Sequence, residues 1–302
     1  MFGYKNHVIA DTRRKLIRDH TVSEPRRMTL GVFMAERDAN FTGGMPQNYD
    51  HHMRTLFFQP YADDITARLA GHARGRLLET AAGTGIVTAS LAAALPETVE
   101  IIATDLNQPM LDHAMTKPGM ERVRFQQADA QALPFPDASF DTLVCQFGVM
   151  FFPDKVQAFR EARRVLKPGG RMIFNVWAER SSVPFVDVVL KALEARYPQH
   201  PSWFMERTPM GYHEPAKIRA DLHAAGFADV AIETVARTGE ASGPDSVATG
   251  LCHGSPLRDE IEALAPDGLA PTLQAVIDAL DAAFGSGRFS VALQALVVTT
   301  LR

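Results

Sequence analysis

A short apolar run, Leu77-Leu78, ends in an acid at Glu79 and breaks at once into Thr80-Ala81-Ala82-Gly83-Thr84-Gly85, after which a helical pattern runs from Ile86 to Leu95. Gly-x-Gly after a strand also opens dinucleotide folds. Glycine at 83 and 85 lets the backbone turn tightly and come close to a ligand, and the helix aims its unsatisfied N–H groups at the same place. That is the layout of a nucleotide pocket in an α/β protein. It is not the dinucleotide fingerprint, whose third glycine would fall at position 88, where this chain has Thr88.

From about Gly75 onward, apolar runs of strand length alternate with helical patterns, which predicts a parallel sheet covered on both faces. Strands are expected at 76–80, 99–104, 123–127, 140–146 and 171–177, with helices at 86–95, 108–116 and 154–166 between them. Pro96 stops the first helix, Asn107 is the expected N-cap of the second with Pro109 in its first turn, and the third runs into the turn Lys167-Pro168-Gly169-Gly170. A helix at 215–225 closing at Gly226, a strand at 229–237 and a last strand from Val291 to Leu301 complete the pattern. The fold class is therefore α/β: a Rossmann-like, doubly wound, seven-stranded sheet, mostly parallel, with an antiparallel last strand expected at an edge. Two stretches, 178–213 and 239–287, interrupt the rhythm and read as helical coverings; the second holds a helix with Leu273, Val276, Ile277, Leu280 and Phe284 on one stripe.

Residues 1–44 differ from the rest, with eight Lys/Arg against five Asp/Glu, little apolar periodicity and the ending Thr42-Gly43-Gly44. They read as an N-terminal extension, either a functional arm or a leader ahead of Met45, preceding one domain over 45–302 with core motifs at 75–177. A hydrophobic fraction of 46% across 302 residues supports a full core, and a net charge of −4 provides no global basic field for nucleic acid or anionic lipid. Two cysteines, Cys145 and Cys252, are too few for a disulfide framework or a cysteine-based zinc site. With no apolar stretch of membrane-span length and no apolar signal core in the first twenty residues, the expectation is a soluble, cytoplasmic protein without a metal.

In an open α/β sheet, ligands sit beyond the carboxyl ends of the strands. Here Glu79 ends the first strand, Asp105 the second, and Asp129 follows the third. Asp105 lies 22 residues past Gly83, a spacing suited to holding the vicinal hydroxyls of a ribose. Three acids around one site disfavour a pyrophosphate and favour a ligand with a ribose, an amino group and a positive charge.

S-adenosylmethionine has those three features. The segment Glu79 to Gly85, Asp105, Asp129-Ala130, the run Leu133-Pro134-Phe135-Pro136-Asp137-Ala138-Ser139-Phe140-Asp141 and the turn Leu166-Lys167-Pro168-Gly169-Gly170 together resemble class I S-adenosylmethionine-dependent methyltransferases. The chain is most similar to the group containing the ubiquinone and menaquinone biosynthesis C-methyltransferases, over about residues 46–237. The resemblance implies that Glu79 anchors the water network or amine of the methionine part, and that the backbone at Ala81, Gly83 and Gly85, with Thr84 in the same loop, lines its carboxylate. It further implies that Asp105 takes the ribose hydroxyls, Leu106 and Met110 pack on the adenine, Asp129 and Ala130 meet the adenine amino group and ring edge, and Gln146 borders the methionine moiety. S-adenosylhomocysteine would be the product. One departure is visible: the family's first motif glycine is Ala81 here.

The acceptor side is less legible. Phe147, Phe151 and Phe152 follow the fourth strand, and the covering stretch carries Val183-Pro184-Phe185, Trp203-Phe204-Met205 and Met210-Gly211-Tyr212, which suggests a small apolar or aromatic methyl acceptor. Phe151, Trp203, Tyr212 and His213 are the candidate substrate residues; Tyr212, His213 and His51 are the candidates for a general base, if one is used. The same rings could instead pack the covering against the sheet. Exocyclic-amine nucleic-acid methyltransferases carry Asn/Asp-Pro-Pro-aromatic after the fourth strand, whereas this chain has Gln146-Phe147-Gly148-Val149, so a nucleic-acid substrate is not expected. A module that binds S-adenosylmethionine without transferring its methyl group would carry the same cofactor motifs.

Overall fold

The computed structural model describes residues 45–302; the expected N-terminal extension, 1–44, lies outside the described residues. Seven strands, β1 (Arg76–Glu79), β2 (Glu100–Asp105), β3 (Val123–Gln127), β4 (Phe140–Gln146), β5 (Leu166–Trp177), β6 (Val230–Ala241) and β7 (Phe289–Leu301), form one sheet. Their order is β3-β2-β1-β4-β5-β7-β6, with β3 to β5 joined by parallel pairing and β7 antiparallel to both of its neighbours.

The central strands read as near-continuous apolar runs because helices bury both of their faces. Leu77, Leu78, Ile101, Ile102, Leu143, Val144 and Phe174 are all at most 1% exposed. The last strand differs from its expected place: β7 is inserted between β5 and β6, and β6 forms the edge. Burial explains the arrangement. The run Leu296-Val297-Val298 is buried, which suits an interior strand, whereas half of β6's residues, Glu233 among them, are exposed. Glu233 pairs there with Arg68 at 3.0 Å.

The expected turn at Lys167–Gly170 is a bulge rather than an end. Phe140 pairs with Leu166 and Thr142 with Arg171, so the extra residues loop out within β5, with Gly169 at φ +74°. Asp141 stitches this end of the sheet by accepting from the Arg76 N–H at 2.9 Å and from Lys167 Nζ at 2.7 Å.

Helix α1 (Met45–Met53) runs through a single π turn, Arg54–Phe58, into α2 (Gln59–Leu69). Helices α3 (Ile86–Ala94), α4 (Gln108–Met115), α5 (Lys155–Val165), α6 (Pro184–Arg196), α7 (Phe204–Arg207) and α8 (Pro215–Ala224) follow. Asp154 caps α5 by accepting from the Gln157 N–H at 2.9 Å. Asn107 does occupy the N-cap position of α4, but its side chain makes no capping bond. The stretch expected to hold one helix holds three, α9 (Pro244–His253), α10 (Leu257–Leu264) and α11 (Ala270–Phe284), separated where Gly254, Pro256 and Pro266 interrupt the pattern. Helix α9 packs on α1, with His52 hydrogen-bonded to Ser246 at 2.9 Å. Among the described residues no helix is long and apolar enough to cross a membrane.

Candidate functional site

The site is built where β1, β2 and β4 end side by side. Glu79 is 1% exposed and closes β1. Its carboxylate accepts from Thr88 Oγ1 at 2.7 Å, so the residue standing where a dinucleotide fold has glycine instead steadies the acid. Burial, reinforced by the nearby Asp105 charge, pushes the Glu79 carboxyl up to about 8. Asp105 accepts from the Gly83 N–H through one oxygen and from the Asn107 N–H through the other, each at 2.8 Å. One carboxylate thereby braces the glycine loop against the end of β2. Burial also raises the Asp105 carboxyl, against the opposing pull of these N–H groups.

The loop itself is held in left-handed geometry. Ala81 sits at φ +52° and Gly83 at φ +55°. For Ala81 this conformation costs roughly 1–2 kcal/mol, the physical content of its departure from glycine. The Cβ of Ala81 lies against β4's continuation, where a Cβ on Gly148 would come within 2.4 Å of it. Around Gly83, by contrast, an added Cβ would meet nothing within 4 Å, so a ligand can approach the backbone there.

Two cavities here share the wall formed by Tyr49 and Phe58. A cleft is lined by Tyr49, Phe58, Glu79, Ala81, Ala82, Gly83, Thr84, Ile86, Val87 and Gln146. It gathers Glu79, Ala81, Gly83, Thr84 and Gln146 from the sequence-derived set. Gln146 Nε2 donates to the Phe58 carbonyl at 3.1 Å, while its Oε1 is buried with no hydrogen-bond partner among the described residues. A buried acceptor of this kind suits a ligand ammonium or amide donor. Gly85 starts α3 beside the cleft. Asp105 flanks it, followed by Leu106, which is 51% exposed, and by buried Met110 on α4. An apolar side chain that uncovered next to a buried acid is placed to lie against a flat ring. Asp129 and Ala130 are half-buried after β3; Asp129 accepts from the Gln131 N–H at 2.8 Å, and the neighbouring Ala128 N–H donates to the Asp105 carbonyl at 3.0 Å.

The second cavity is apolar. Tyr49, Met53, Phe57, Phe58, Phe147, Met150, Phe151, Trp177, Phe204, Met205, Pro209 and Ser255 line it. Phe147, at φ +50°, stacks on Trp177 with ring centroids 3.9 Å apart. Its N–H donates to Asn175 Oδ1 at 2.9 Å, which holds the strained end of β4 in place.

Of the substrate candidates, Phe151 lines this cavity, and the covering stretch contributes Phe204, Met205 and Pro209. Trp203 is 1% exposed and stacks on His200 at 4.2 Å, outside both linings. Tyr212 donates to Asp221 at 2.8 Å, with burial pushing its hydroxyl pKa upward, and His213 is hydrogen-bonded through Nδ1 to the Met210 carbonyl at 2.8 Å. Neither lines either of these two cavities. His51 is exposed and meets the His52 ring edge-on. Cys145 is fully buried in β4, and burial pushes its thiol up to about 12.

Sequence reasoning brought α1 toward the site only through His51 and missed Tyr49, Asp50 and, in the π turn, Phe58. Tyr49 and Phe58 line both cavities, and Asp50 fastens the helix over the glycine loop. Asp50 accepts from Thr84 Oγ1 at 3.1 Å and from Lys117 Nζ at 2.5 Å, with His113 Nε2 at 3.4 Å. These partners hold the Asp50 carboxyl below the usual range, against the burial that raises it. The available signal was the consecutive aromatic pair Phe57-Phe58 following Tyr49-Asp50, ahead of the first predicted strand.

Known proteins carry the same segments. A family model described as "Methyltransferase domain" matches residues 78–174. The demethylmenaquinone methyltransferase of Deinococcus radiodurans is 32% identical over 177 residues, which cover 53% of this chain and 71% of that protein. The ubiquinone/menaquinone biosynthesis C-methyltransferase of Escherichia coli is 36% identical over 141 residues, 43% of this chain, so the chain spans about half (53%) of that relative. Among solved structures, the YcgJ protein of Bacillus subtilis superposes with a TM-score of 0.50 at 22% identity, covering 80% of this chain and 98% of that one. The phosphoethanolamine N-methyltransferase 2 of Haemonchus contortus, solved with S-adenosyl-L-methionine, gives 0.53 at 15% identity over 85% of this chain and 56% of that one. At these identities the two structures speak for the fold alone.

Proposed function

Since the chain belongs to the class I S-adenosylmethionine-dependent methyltransferases, in kinship with their ubiquinone and menaquinone group, we propose that it methylates a small apolar or aromatic acceptor held in the cavity around Phe147, Phe151 and Trp177. The observation that carries this reading is the junction of the two cavities. A polar cleft lined by the buried acid Glu79 lies beside an apolar one, and the two share Tyr49 and Phe58.

S-adenosylmethionine, when bound, supplies a methyl group on a sulfonium that is already a good leaving group. The protein's work is then alignment. Asp105 would hold the ribose hydroxyls, Leu106 and Met110 the adenine face, Asp129 and Ala130 the adenine edge, and Gln146 Oε1 the ammonium of the methionine part. Glu79 and the loop Ala81–Gly85 would line the rest of that part. On the other side, Phe57, Phe147, Met150, Phe151, Trp177 and Met205 would orient the acceptor and exclude water. Ser255, the small polar group in that wall, already donates to the Leu251 carbonyl at 2.7 Å. The apolar lining supports a ring or hydrocarbon acceptor over a charged one.

The test is transfer of labelled methyl from S-adenosylmethionine into a cell extract, followed by identification of the labelled product. Label in an organic-extractable small molecule is the expected result. Label confined to protein, nucleic acid or highly polar metabolites would overturn the acceptor assignment, and binding without any transfer would make the chain a cofactor-binding module.

A further inference from the structure

Tyr49 and Phe58 are the two residues common to the linings of both cavities among the described residues. Their rings stack on each other with centroids 4.8 Å apart and an angle of 17° between planes. Phe58 also meets Phe147 edge-on at 5.9 Å and Trp177 at 6.5 Å, so the pair is anchored to the stacked rings that wall the acceptor side. Phe58 is 6% exposed and fixed by the Gln146 bond to its own carbonyl.

A methyl group can pass between the cavities in line only if the sulfur that carries it lies at their junction. The charge of that sulfur must be met there, in a place where water is displaced. The one acid lining the cofactor cleft, Glu79, has its carboxyl pushed up by burial and lines that cleft but not the apolar one. What the junction itself offers to a cation is aromatic surface, whose quadrupole attracts positive charge within about 6 Å of a ring centroid.

We propose that the Tyr49–Phe58 ring pair is the element that recognises the positive charge of S-adenosylmethionine at the junction, so that the protein prefers the charged cofactor to neutral S-adenosylhomocysteine. The inference rests on the reading of the cleft as the cofactor site. It gives the rings a role distinct from packing: they favour entry of the methyl donor and release of the demethylated product, whose sulfur no longer carries charge. A purely packing role would treat the two ligands alike, because they differ by one methyl and one charge.

The experiment is a set of calorimetric titrations on the full chain with three ligands. These are S-adenosylmethionine, S-adenosylhomocysteine and sinefungin, in which an ammonium stands near the position of the sulfonium methyl. In Phe58→Leu, Kd for the two cationic ligands is expected to rise roughly three- to tenfold, with that for S-adenosylhomocysteine within about twofold of the parent. Tyr49→Leu, at the half-buried ring, should show the same split, and Tyr49→Phe should keep the parent preference. The Tyr49 pair of variants decides the question if Phe58→Leu does not fold. Equal weakening of all three ligands, or no change in any, would overturn the proposal. Failure of the parent chain to bind any of the three ligands would instead overturn the cofactor reading beneath it.

Discussion

The cofactor half and the acceptor half of the site are built on different principles. Glu79, Ala81, Gly83 and Gly85 come from one loop, and Asp105, Leu106, Asp129 and Gln146 from the ends of neighbouring strands, so sheet topology alone brings them together. The acceptor cavity is gathered from α1, the π turn, the ends of β4 and β5, α7 and the loop before α10, and its wall is almost wholly apolar. One half depends on a few charge-assisted hydrogen bonds in fixed places. The other depends on many interchangeable contacts, which makes it tolerant of sequence change and silent in motifs.

Four substitutions sharpen that contrast, in descending order of effect. Asp105→Ala removes the brace on Gly83 and the proposed ribose acceptor; Kd for S-adenosylhomocysteine is expected to rise about 100-fold by calorimetry, as loss of two bonds to a charged group at ~1.5–3 kcal/mol each allows. An affinity unchanged within threefold would mean that the buried acid does not touch the ligand. Phe151→Ala, across the junction, should lower kcat/KM for the acceptor about tenfold while leaving S-adenosylhomocysteine affinity within twofold; parallel loss of both would show that the halves are not separable.

Glu79→Gln probes the buried acid through pH. The Glu79 carboxyl, about 8 when folded, lies above its unfolded value, so the folded state binds the extra proton. Stability of the ligand-free protein should therefore fall as pH rises from about 4.5 to 8, and level off above. The Gln variant, uncharged throughout, should lose most of this slope and gain several degrees over the parent at pH 8.5, at about 2–4 °C per kcal/mol. An identical pair of melting curves across that window would show Glu79 ionised in the fold. Ala81→Gly is the smallest change: relief of left-handed strain offsets the added chain entropy, so denaturant midpoints should shift by less than about 1 kcal/mol, with the variant no less stable. A loss above that would assign Ala81's methyl a packing role that outweighs its strain.

Legibility followed the range of the interactions. The strand–loop–helix at 77–95, the acid after each of the first three strands, and Pro109 at the start of α4 are each specified within a few residues, and periodicity carried them. The turn at Lys167–Gly170 shows a middle case: its residues do turn, yet pairing to β4 and β7 on either side makes it a bulge inside β5. Tyr212 shows the opposite case. As an aromatic residue beside a histidine it reads as a site residue, but Asp221, nine residues on, occupies its hydroxyl. The position of β7 was hidden for a related reason, since an apolar alternating strand is compatible with an edge or an interior slot, and the partner that covers its far side, β6, is chosen only in the assembled sheet.

What the sequence determined by itself is the cofactor half: α/β class, strand ends, the glycine loop and its acids follow from local propensity, turn chemistry and a period of two or 3.6. Only the tertiary structure decided the acceptor half. Tyr49, Asp50 and Phe58 come to Gly83 and Gln146 because Asp50 finds Thr84 and Lys117 across the cleft and Phe58 finds Gln146. Such contacts between segments up to 88 residues apart leave no periodic trace along the chain, because closing a long loop depends on what packs at its ends rather than on the residues within it.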